Sequence, residues 1–230
     1  MIKYSLLSIQ VNYRKNMIMT YIIYKIMITH KNNKMYLISD TKNGLSVYVD
    51  KHFYTTIASD EIFQELNDCI TYNEDAHVIL YGKKILIPRK QTAYGDIGTK
   101  YSFSGVTVNA KQWIPVLLKI KEDIEYFTSQ KFNFCLVNYY EDGSKNIGYH
   151  KDDEKDLGDN PSIVSLSFGA KRKFYFKSDN KDVPVVKLEL NHGCLCWMVH
   201  PTNTFWKHSV PKEPKIKLPR INLTFRYINI

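Results

Sequence analysis

Two histidines and an aspartate have the types and spacing of a metal site. His150 and Asp152 are two residues apart, and His208 follows His150 by 58 residues. Residues two apart on an extended strand project from the same face, so His150 and Asp152 can reach one point in space. Two imidazoles and a carboxylate leave three positions of an octahedron open, which suits a non-haem Fe(II) that also binds a cosubstrate and dioxygen. The pattern alone is weak in a chain with 7 histidines, because chance matches are expected.

The last strand makes the metal interpretation more specific. Apolar and polar residues alternate from Arg220 to Tyr227, which predicts a strand with one apolar and one polar face. The polar face carries Arg220 and Arg226, roughly 20 Å apart along a strand. In an ordinary strand this face points to solvent. In a small barrel it points inwards, where a guanidinium can hold a carboxylate away from water. One such arginine and a metal at the barrel mouth predict a site for a dicarboxylate that also chelates iron.

Several further blocks, together with the metal motif, resemble the AlkB family of 2-oxoglutarate- and Fe(II)-dependent nucleic-acid dealkylation dioxygenases. The resemblance extends from about residue 45 to the C-terminus and is greatest to the animal homologues that repair duplex DNA. It implies oxidative demethylation of N-alkylated bases, such as 1-methyladenine and 3-methylcytosine, with Fe(II), O2 and 2-oxoglutarate. The matching blocks are HKD at 150–152, PRKQ at 88–91, YGD at 94–96, YSFSG at 101–105, WIPV at 113–116, SIVSLSFG at 162–169, PTNTFWKHSVP at 201–211 and RINLTFR at 220–226.

The resemblance also implies roles for individual residues. His150, Asp152 and His208 would hold the metal, and no catalytic group beyond these ligands is implied. Arg220 would bind the distal carboxylate of 2-oxoglutarate, and Arg226 would lie near its other end or near the substrate. The positions that match the cosubstrate site are Asn138, Tyr140, Arg220, Asn222, Thr224 and Arg226.

The substrate-binding residues follow from the same resemblance. Tyr81 lies where duplex-acting relatives carry an intercalating aromatic, and such wedges open base steps while the target base is flipped out. Arg89 and nearby lysines would contact phosphates. Tyr101 and Phe103 match positions near the flipped base, and Asp153 could contact it. Ordinary structural alternatives are an exposed hairpin tip around Tyr81, core packing of Tyr101 or Phe103, and a loop carboxylate at Asp153.

Departures from the family pattern leave the substrate open. Tyr139 and Lys151 stand where many relatives have arginine, and the turn after Tyr81 differs. RNA or single-stranded DNA is therefore an alternative to duplex DNA, with the same chemistry. A catalytically inactive nucleic-acid-binding module is a third possibility, and a zinc hydrolase is disfavoured because nothing here resembles a placed general base.

The elements that must position these residues indicate an α+β, mainly β, fold. Leu45–Tyr54 is predicted as a strand, residues after a Ser59 cap as an amphipathic helix, and Ile114–Thr128 as a second helix. Short strands from residue 132 onward predict a jelly roll. With the family resemblance this gives a double-stranded β-helix (jelly-roll) core at about 132–230, backed by helices, and a nucleotide-recognition lid at about 76–108. The predicted domains are an extension at 1–44, of unknown role, and a dioxygenase domain at 45–230.

Composition limits the partners. The chain has 230 residues and a net charge of +9, which favours a polyanion such as nucleic acid. Residues 1–39 hold six of the basic residues and no acid, so a nucleic-acid surface on the main domain must be local. The run Met17–Thr29 is too short for a membrane span, which needs about 20 residues. Four cysteines without disulfide or zinc spacing fit an intracellular compartment: the nucleus in a eukaryote, the cytoplasm otherwise, or mitochondria as a minor alternative. We expect a monomer without membrane attachment.

Overall fold

The computed structural model describes residues 35–73, 77–80, 82–103 and 105–229. The helices are α1 (Thr56–Cys69), α2 (Pro115–Thr128) and the short α3 (Thr202–Phe205), with a 3-10 turn at Lys155–Leu157. The strands are β1 (Tyr36–Asp40), β2 (Leu45–Asp50), β3 (His77–Leu80), β4 (Lys83–Leu86), β5 (Lys90–Gly95), β6 (Lys100–Phe103), β7 (Val106–Asn109), β8 (Lys111–Gln112), β9 (Phe134–Tyr140), β10 (Ile147–His150), β11 (Ile163–Gly169), β12 (Arg172–Ser178), β13 (Val186–Leu190), β14 (Cys194–Met198), β15 (Trp206–Val210) and β16 (Arg220–Arg226).

The strands form two facing sheets with helices on the outer side of the larger one. The larger sheet has the order β1-β2-β14-β11-β16-β9-β5-β8, and the smaller one has the order β10-β15-β12-β13. One apolar cluster joins α1 and α2 to the larger sheet, and a second lies between the sheets. The predicted jelly-roll core backed by helices is therefore confirmed.

Strand β16 lies at the centre of the larger sheet, between β11 and β9. Its apolar side chains, such as Leu223 and Phe225, join the cluster under the helices, where their burial stabilises the sheet. Its polar side chains therefore point between the sheets, since successive residues alternate. Arg220 and Arg226 are 1% and 4% exposed, which confirms that the polar face of this strand points inwards.

The helix and strand boundaries differ from the predictions in detail. Helix α1 begins at Thr56, one turn before the predicted start, because Thr55 is its N-cap and accepts a hydrogen bond from the amide of Ala58 at 3.3 Å. Ser59 lies inside the helix, where its hydroxyl donates to the carbonyl of Thr55. The prediction that Ser59 caps the helix was wrong. Helix α2 begins at Pro115 with Ile114 as its N-cap, as the proline predicts.

The predicted lid contains two small hairpins, β3–β4 and β6–β7, on either side of β5. Within the predicted extension, Tyr36–Asp40 forms the edge strand of the larger sheet. Residues 1–34, which include the apolar run, and Tyr81 at the hairpin turn lie outside the described residues. Among the described residues, no helix has the length and apolar character needed to cross a bilayer.

Candidate active site

The three predicted metal ligands converge between the sheets. His150 ends β10 and pairs with His208 of β15, and Asp152 follows two residues after His150. One ligand atom from each of the three residues lies within 4.8 Å of the others. His150 Nδ1 is 2.9 Å from the carbonyl of Gly148, and donation there leaves the Nε2 lone pair free for a metal. Both histidine Nε2 atoms lie 3.8 Å from the carboxylate of Asp152, so a cation between them could bind all three.

The electrostatics of this cluster favour the ligand forms of all three side chains. Burial opposes ionisation of Asp152, but the Arg226 guanidinium and the two imidazoles outweigh it and hold the pKa of Asp152 below its usual range. Burial, with the neighbouring imidazole, lowers the pKa of His208 to about 3. Burial also lowers the pKa of His150. Neutral imidazoles and an ionised carboxylate are the forms that bind a divalent metal.

Arg226 fixes the orientation of the metal carboxylate. Its Nη2 donates to Asp152 Oδ2 at 3.0 Å, and both side chains are almost fully buried. Such a charge-assisted contact fixes the carboxylate with Oδ1 3.8 Å from His150 Nε2 and Oδ2 3.8 Å from His208 Nε2. Arg226 therefore contacts the metal ligand directly, and its guanidinium also lies over the ring of Tyr101, 5.1 Å from the centroid.

Arg220 lies at the other end of β16 and behaves differently. Its Nη2 donates to Ser167 Oγ at 2.9 Å, and its guanidinium lies 5.2 Å from the ring centroid of Tyr140. Within the described residues, its Nε and Nη1 atoms, like those of Arg226, have no hydrogen-bond partner, and the Tyr140 side chain is the main group that stabilises its charge. A buried guanidinium with open donors is costly to the free protein and fits an anionic ligand such as a carboxylate.

Hydrogen-bonded polar side chains lie on β16 and β9 beside the arginines. Asn222 donates to Ser165 Oγ and to the carbonyl of Leu166, both at 2.8 Å. Asn138 Oδ1 accepts from Arg89 Nε at 2.7 Å and from Gln91 Nε2 at 3.0 Å. These contacts hold the amides rigidly. Sequence reasoning gave no role to Gln91, Ser165 or Ser167, although each lies in a block that matches the family and points inwards on a buried strand.

A cavity of about 350 Å³ opens over these residues. This volume falls in the usual range for a small-molecule site. Arg220 is not among the residues that line it and lies behind Tyr140. Predicted site residues on the cavity wall are His150, Asp152, His208, Asn138, Tyr140, Asn222, Thr224, Arg226, Arg89, Tyr101 and Phe103.

The mouth of the cavity is apolar. Ile85 and Leu86 of β4 line it and are 44% and 65% exposed, and Tyr149 is also exposed there. The hairpin that carries the predicted finger thus borders the cavity. Tyr81 itself is outside the described residues.

Of the two carboxylates after Asp152, the structure brings Glu154 rather than Asp153 to the cavity. Asp153 is exposed and does not line the cavity. The Tyr101 hydroxyl donates to Glu154 Oε2 at 2.5 Å, and burial raises the pKa of Glu154. Tyr101 is buried and its ring contacts Phe103 at 5.4 Å between centroids, so it serves both packing and the cavity wall.

These residues fit the groups that the sequence implied. Two neutral imidazoles and one carboxylate are a donor set for Fe(II) with open positions. The open Arg220 donors suit the second carboxylate of a dicarboxylic acid. The polar amides and hydroxyls between them can orient its chain.

Comparisons with known proteins agree with this geometry. Residues 46–226 match the family described as the 2OG-Fe(II) oxygenase superfamily. The chain is 49% identical over 179 residues to the DNA oxidative demethylase ALKBH2 of Homo sapiens, covering 74% of this chain and 69% of that protein. It is 45% identical to the Mus musculus protein of the same name, covering 74% and 75%. The solved structure "The structure of OsALKBH1" aligns with a TM-score of 0.60 at 18% identity, over 84% of this chain and 99% of that one, and this likeness supports the fold alone.

Proposed function

Because the chain belongs to the 2OG-Fe(II) oxygenase superfamily and, within it, to the AlkB family, we propose that it oxidatively demethylates N-methylated bases in duplex DNA. Its cofactor is Fe(II), and 2-oxoglutarate and O2 are cosubstrates. The observation that carries the proposal is the His150–Asp152–His208 cluster, which opens into a cavity that has Arg220 behind its wall. Lesions of the 1-methyladenine and 3-methylcytosine type are the proposed substrates.

In this proposal, each end of the site has a separate task. His150, Asp152 and His208 would hold the iron, which when bound activates O2 with 2-oxoglutarate as the reductant. Arg220 would hold the distal carboxylate through its open Nε and Nη1 atoms. Hydroxylation of the methyl group converts it to a form that leaves the base as formaldehyde, while 2-oxoglutarate is converted to succinate and CO2.

The substrate base would occupy the outer half of the cavity. Tyr101 and Phe103 form an aromatic wall there, which suits stacking of an extruded base. Glu154, held by the Tyr101 hydroxyl, provides a carboxyl group at the same wall. We propose that Glu154 takes the base-contacting role that the sequence suggested for Asp153.

Duplex preference is proposed from the hairpin β3–β4. It borders the mouth and carries the exposed lysines Lys83 and Lys84, and Tyr81 lies between its two strands in the sequence. An aromatic at this point can fill the gap left by the flipped base, and the lysines can contact phosphates. Repair of genomic DNA would place the enzyme inside the cell, in the nucleus of a eukaryote, and we propose that it acts as a monomer.

Mass spectrometry of oligonucleotides carrying 1-methyladenine or 3-methylcytosine tests the proposal, with Fe(II), ascorbate and 2-oxoglutarate present. The wild-type protein should remove 14 Da per lesion, with stoichiometric succinate, and Asp152→Asn should abolish both. Failure to demethylate any single- or double-stranded oligonucleotide, while succinate still forms, would exclude these bases as substrates. Activity on RNA that exceeds activity on DNA would favour the RNA alternative.

Strand preference is tested separately with Tyr81→Ala. We expect at least a tenfold loss on duplex substrate and less than a threefold loss on single strands, because only the duplex must be unstacked. Tyr126→Ala is the matched control, since Tyr126 is 73% exposed on α2, away from the cavity. Equal losses on both substrates would exclude the finger role.

A further inference from the structure

The segment that carries Asp152 lies beyond the hydrogen-bonded ladder. Strands β10 and β15 pair through Ile147 with Val210 and through His150 with His208, with an irregularity between the two pairs. Strand β10 ends at His150. Among the described residues, no backbone–backbone hydrogen bond joins 151–153 to another segment. Some other contact must therefore fix the backbone between the two ligands.

Lys151 supplies a contact at this point. Lys151 borders the cavity together with His150 and Asp152, but its ammonium is bound by groups outside the triad. Its Nζ donates to Asp179 Oδ2 at 2.7 Å and to the carbonyl of Thr204 at 2.6 Å. The Lys151 side chain is only 17% exposed, so the ammonium is committed to these two partners.

Both partners of Lys151 belong to segments that position His208. Thr204 lies in α3, which continues directly into β15, and the last carbonyls of such a short helix lack intrahelical partners. Asp179 follows β12, and its amide donates to the carbonyl of Phe205 at 2.9 Å. Strand β12 in turn pairs with His208. One ammonium thus joins the segment with two metal ligands to the segments that hold the third.

We propose that Lys151 is a positioning residue for the metal site, with Asp179 and the Thr204 carbonyl as its anchors. It holds His150 and Asp152 in register with His208, so that the three ligand atoms stay close enough for one cation. The proposal rests on the proposed function only in requiring that this triad binds a metal. Its alternative is a phosphate contact by Lys151, which predicts a different pattern of losses.

The test measures metal binding directly, without substrate. Mn(II) titration followed by electron paramagnetic resonance gives the affinity, and anaerobic Fe(II) with 2-oxoglutarate gives the visible charge-transfer band. Lys151→Met should weaken Mn(II) binding at least about tenfold, the usual effect of losing a group that orients a ligand. Lys151→Arg should restore affinity to within about threefold, because a guanidinium can bind the same carboxylate and carbonyl.

The matched control is Lys207→Met. Lys207 is an exposed lysine directly before His208, and no ion pair joins it to any described residue. Its replacement should change Mn(II) affinity less than twofold. Asp179→Asn alters the clamp from the other side and should weaken Mn(II) binding about threefold. The Lys151→Met/Asp179→Asn double variant should bind Mn(II) no more weakly than Lys151→Met, because both changes remove the same Lys151–Asp179 interaction.

Unchanged Mn(II) affinity and an unchanged charge-transfer band in Lys151→Met would overturn the proposal, and a selective loss of DNA binding would identify a phosphate contact instead. If wild-type protein bound no metal, the proposed function would fail rather than this inference. Melting in the presence of a chelator shows whether each variant folds. If Lys151→Met does not fold, Asp179→Asn decides the question, and its full metal affinity would overturn the proposal.

Discussion

Replacing Arg220 with methionine should make the ligand-free protein more stable. Arg220 is 1% exposed, its Nη2 bonds Ser167, and burial lowers its pKa. The structure gives its Nε and Nη1 atoms no partner among the described residues. Each unsatisfied buried donor costs about 1–3 kcal/mol, or about 4 kcal/mol for two. Losing the Ser167 bond and the contact with Tyr140 would offset about 2–3 kcal/mol. The free energy of unfolding should therefore rise by about 1–2 kcal/mol.

The assay is urea unfolding followed by fluorescence, first with chelator and then with Mn(II) and 2-oxoglutarate. A ligand at 100 times its Kd should stabilise the wild-type protein by about 2.7 kcal/mol. In Arg220→Met, 2-oxoglutarate should add little to this stabilisation, because the open donors proposed to bind its carboxylate are gone. The variant would thus be more stable than wild type without ligand, and 2-oxoglutarate would not stabilise it further.

Arg172 is the matched control. It is equally buried and also lies over the Tyr140 ring, 5.6 Å from the centroid. Its guanidinium, however, is ion-paired with Glu213 and bonded to three carbonyls. Arg172→Met should therefore lower the free energy of unfolding by about 3–5 kcal/mol and leave the response to 2-oxoglutarate in place. A loss of similar size in Arg220→Met would refute the reasoning, because Arg220 would then be a structural arginine.

Three further predictions concern charge and reactivity. Arg226→Met breaks the buried pair with Asp152 and should lower the free energy of unfolding of the metal-free protein by about 3–5 kcal/mol. Urea unfolding should show that saturating Mn(II) restores most of this stability, and no recovery would contradict the prediction. Between about pH 6.5 and 3, His208 binds a proton in the unfolded chain but not in the folded one. As the pH is lowered below 6.5, the free energy of unfolding should therefore decrease by up to about 1.4 kcal/mol per pH unit. His208→Gln should reduce that slope. Cys69 is exposed, while burial raises the pKa of the other three thiols. Iodoacetamide at pH 7.5 should therefore add one carbamidomethyl group, measured by intact mass. Rapid formation of a second or third adduct would contradict the burial of these thiols.

Alternation along a strand explains how much of the site could be predicted from sequence. Arg220, Asn222, Thr224 and Arg226 share one face because β16 is regular over its whole length, so their inward direction followed once the strand was recognised. The role suggested for Asp153 came from the family resemblance, whereas alternation places residue 154, and not 153, on the side of Asp152. After Asp152 the chain leaves β10 and enters a 3-10 turn, with Glu154 bonded to Tyr101 and Asp153 exposed.

The start of α1 shows a second limit. Thr55 and Ser59 both have a hydroxyl that can cap a helix, and both precede a suitable apolar run. The choice depends on packing that local sequence does not contain. Ser59 is fully buried, and its hydroxyl packs against Gly193 so closely that any side chain at position 193 would clash with it. The first turn of the helix is therefore held against the sheet, and the cap falls one turn earlier.

The two arginines of β16 are equivalent in the sequence but not in the fold. Arg226 meets a carboxylate of the chain itself, which burial alone would neutralise, and the pair keeps Asp152 ionised for a metal. Among the described residues, Arg220 meets the Ser167 hydroxyl and the Tyr140 ring but no carboxylate, so a bound anion would compensate its charge. Because the same strand carries both, one rigid element sets the separation between the metal ligand and the proposed carboxylate anchor. A dicarboxylic acid of the wrong length could satisfy one end but not both, so we predict that this spacing selects the cosubstrate by its length.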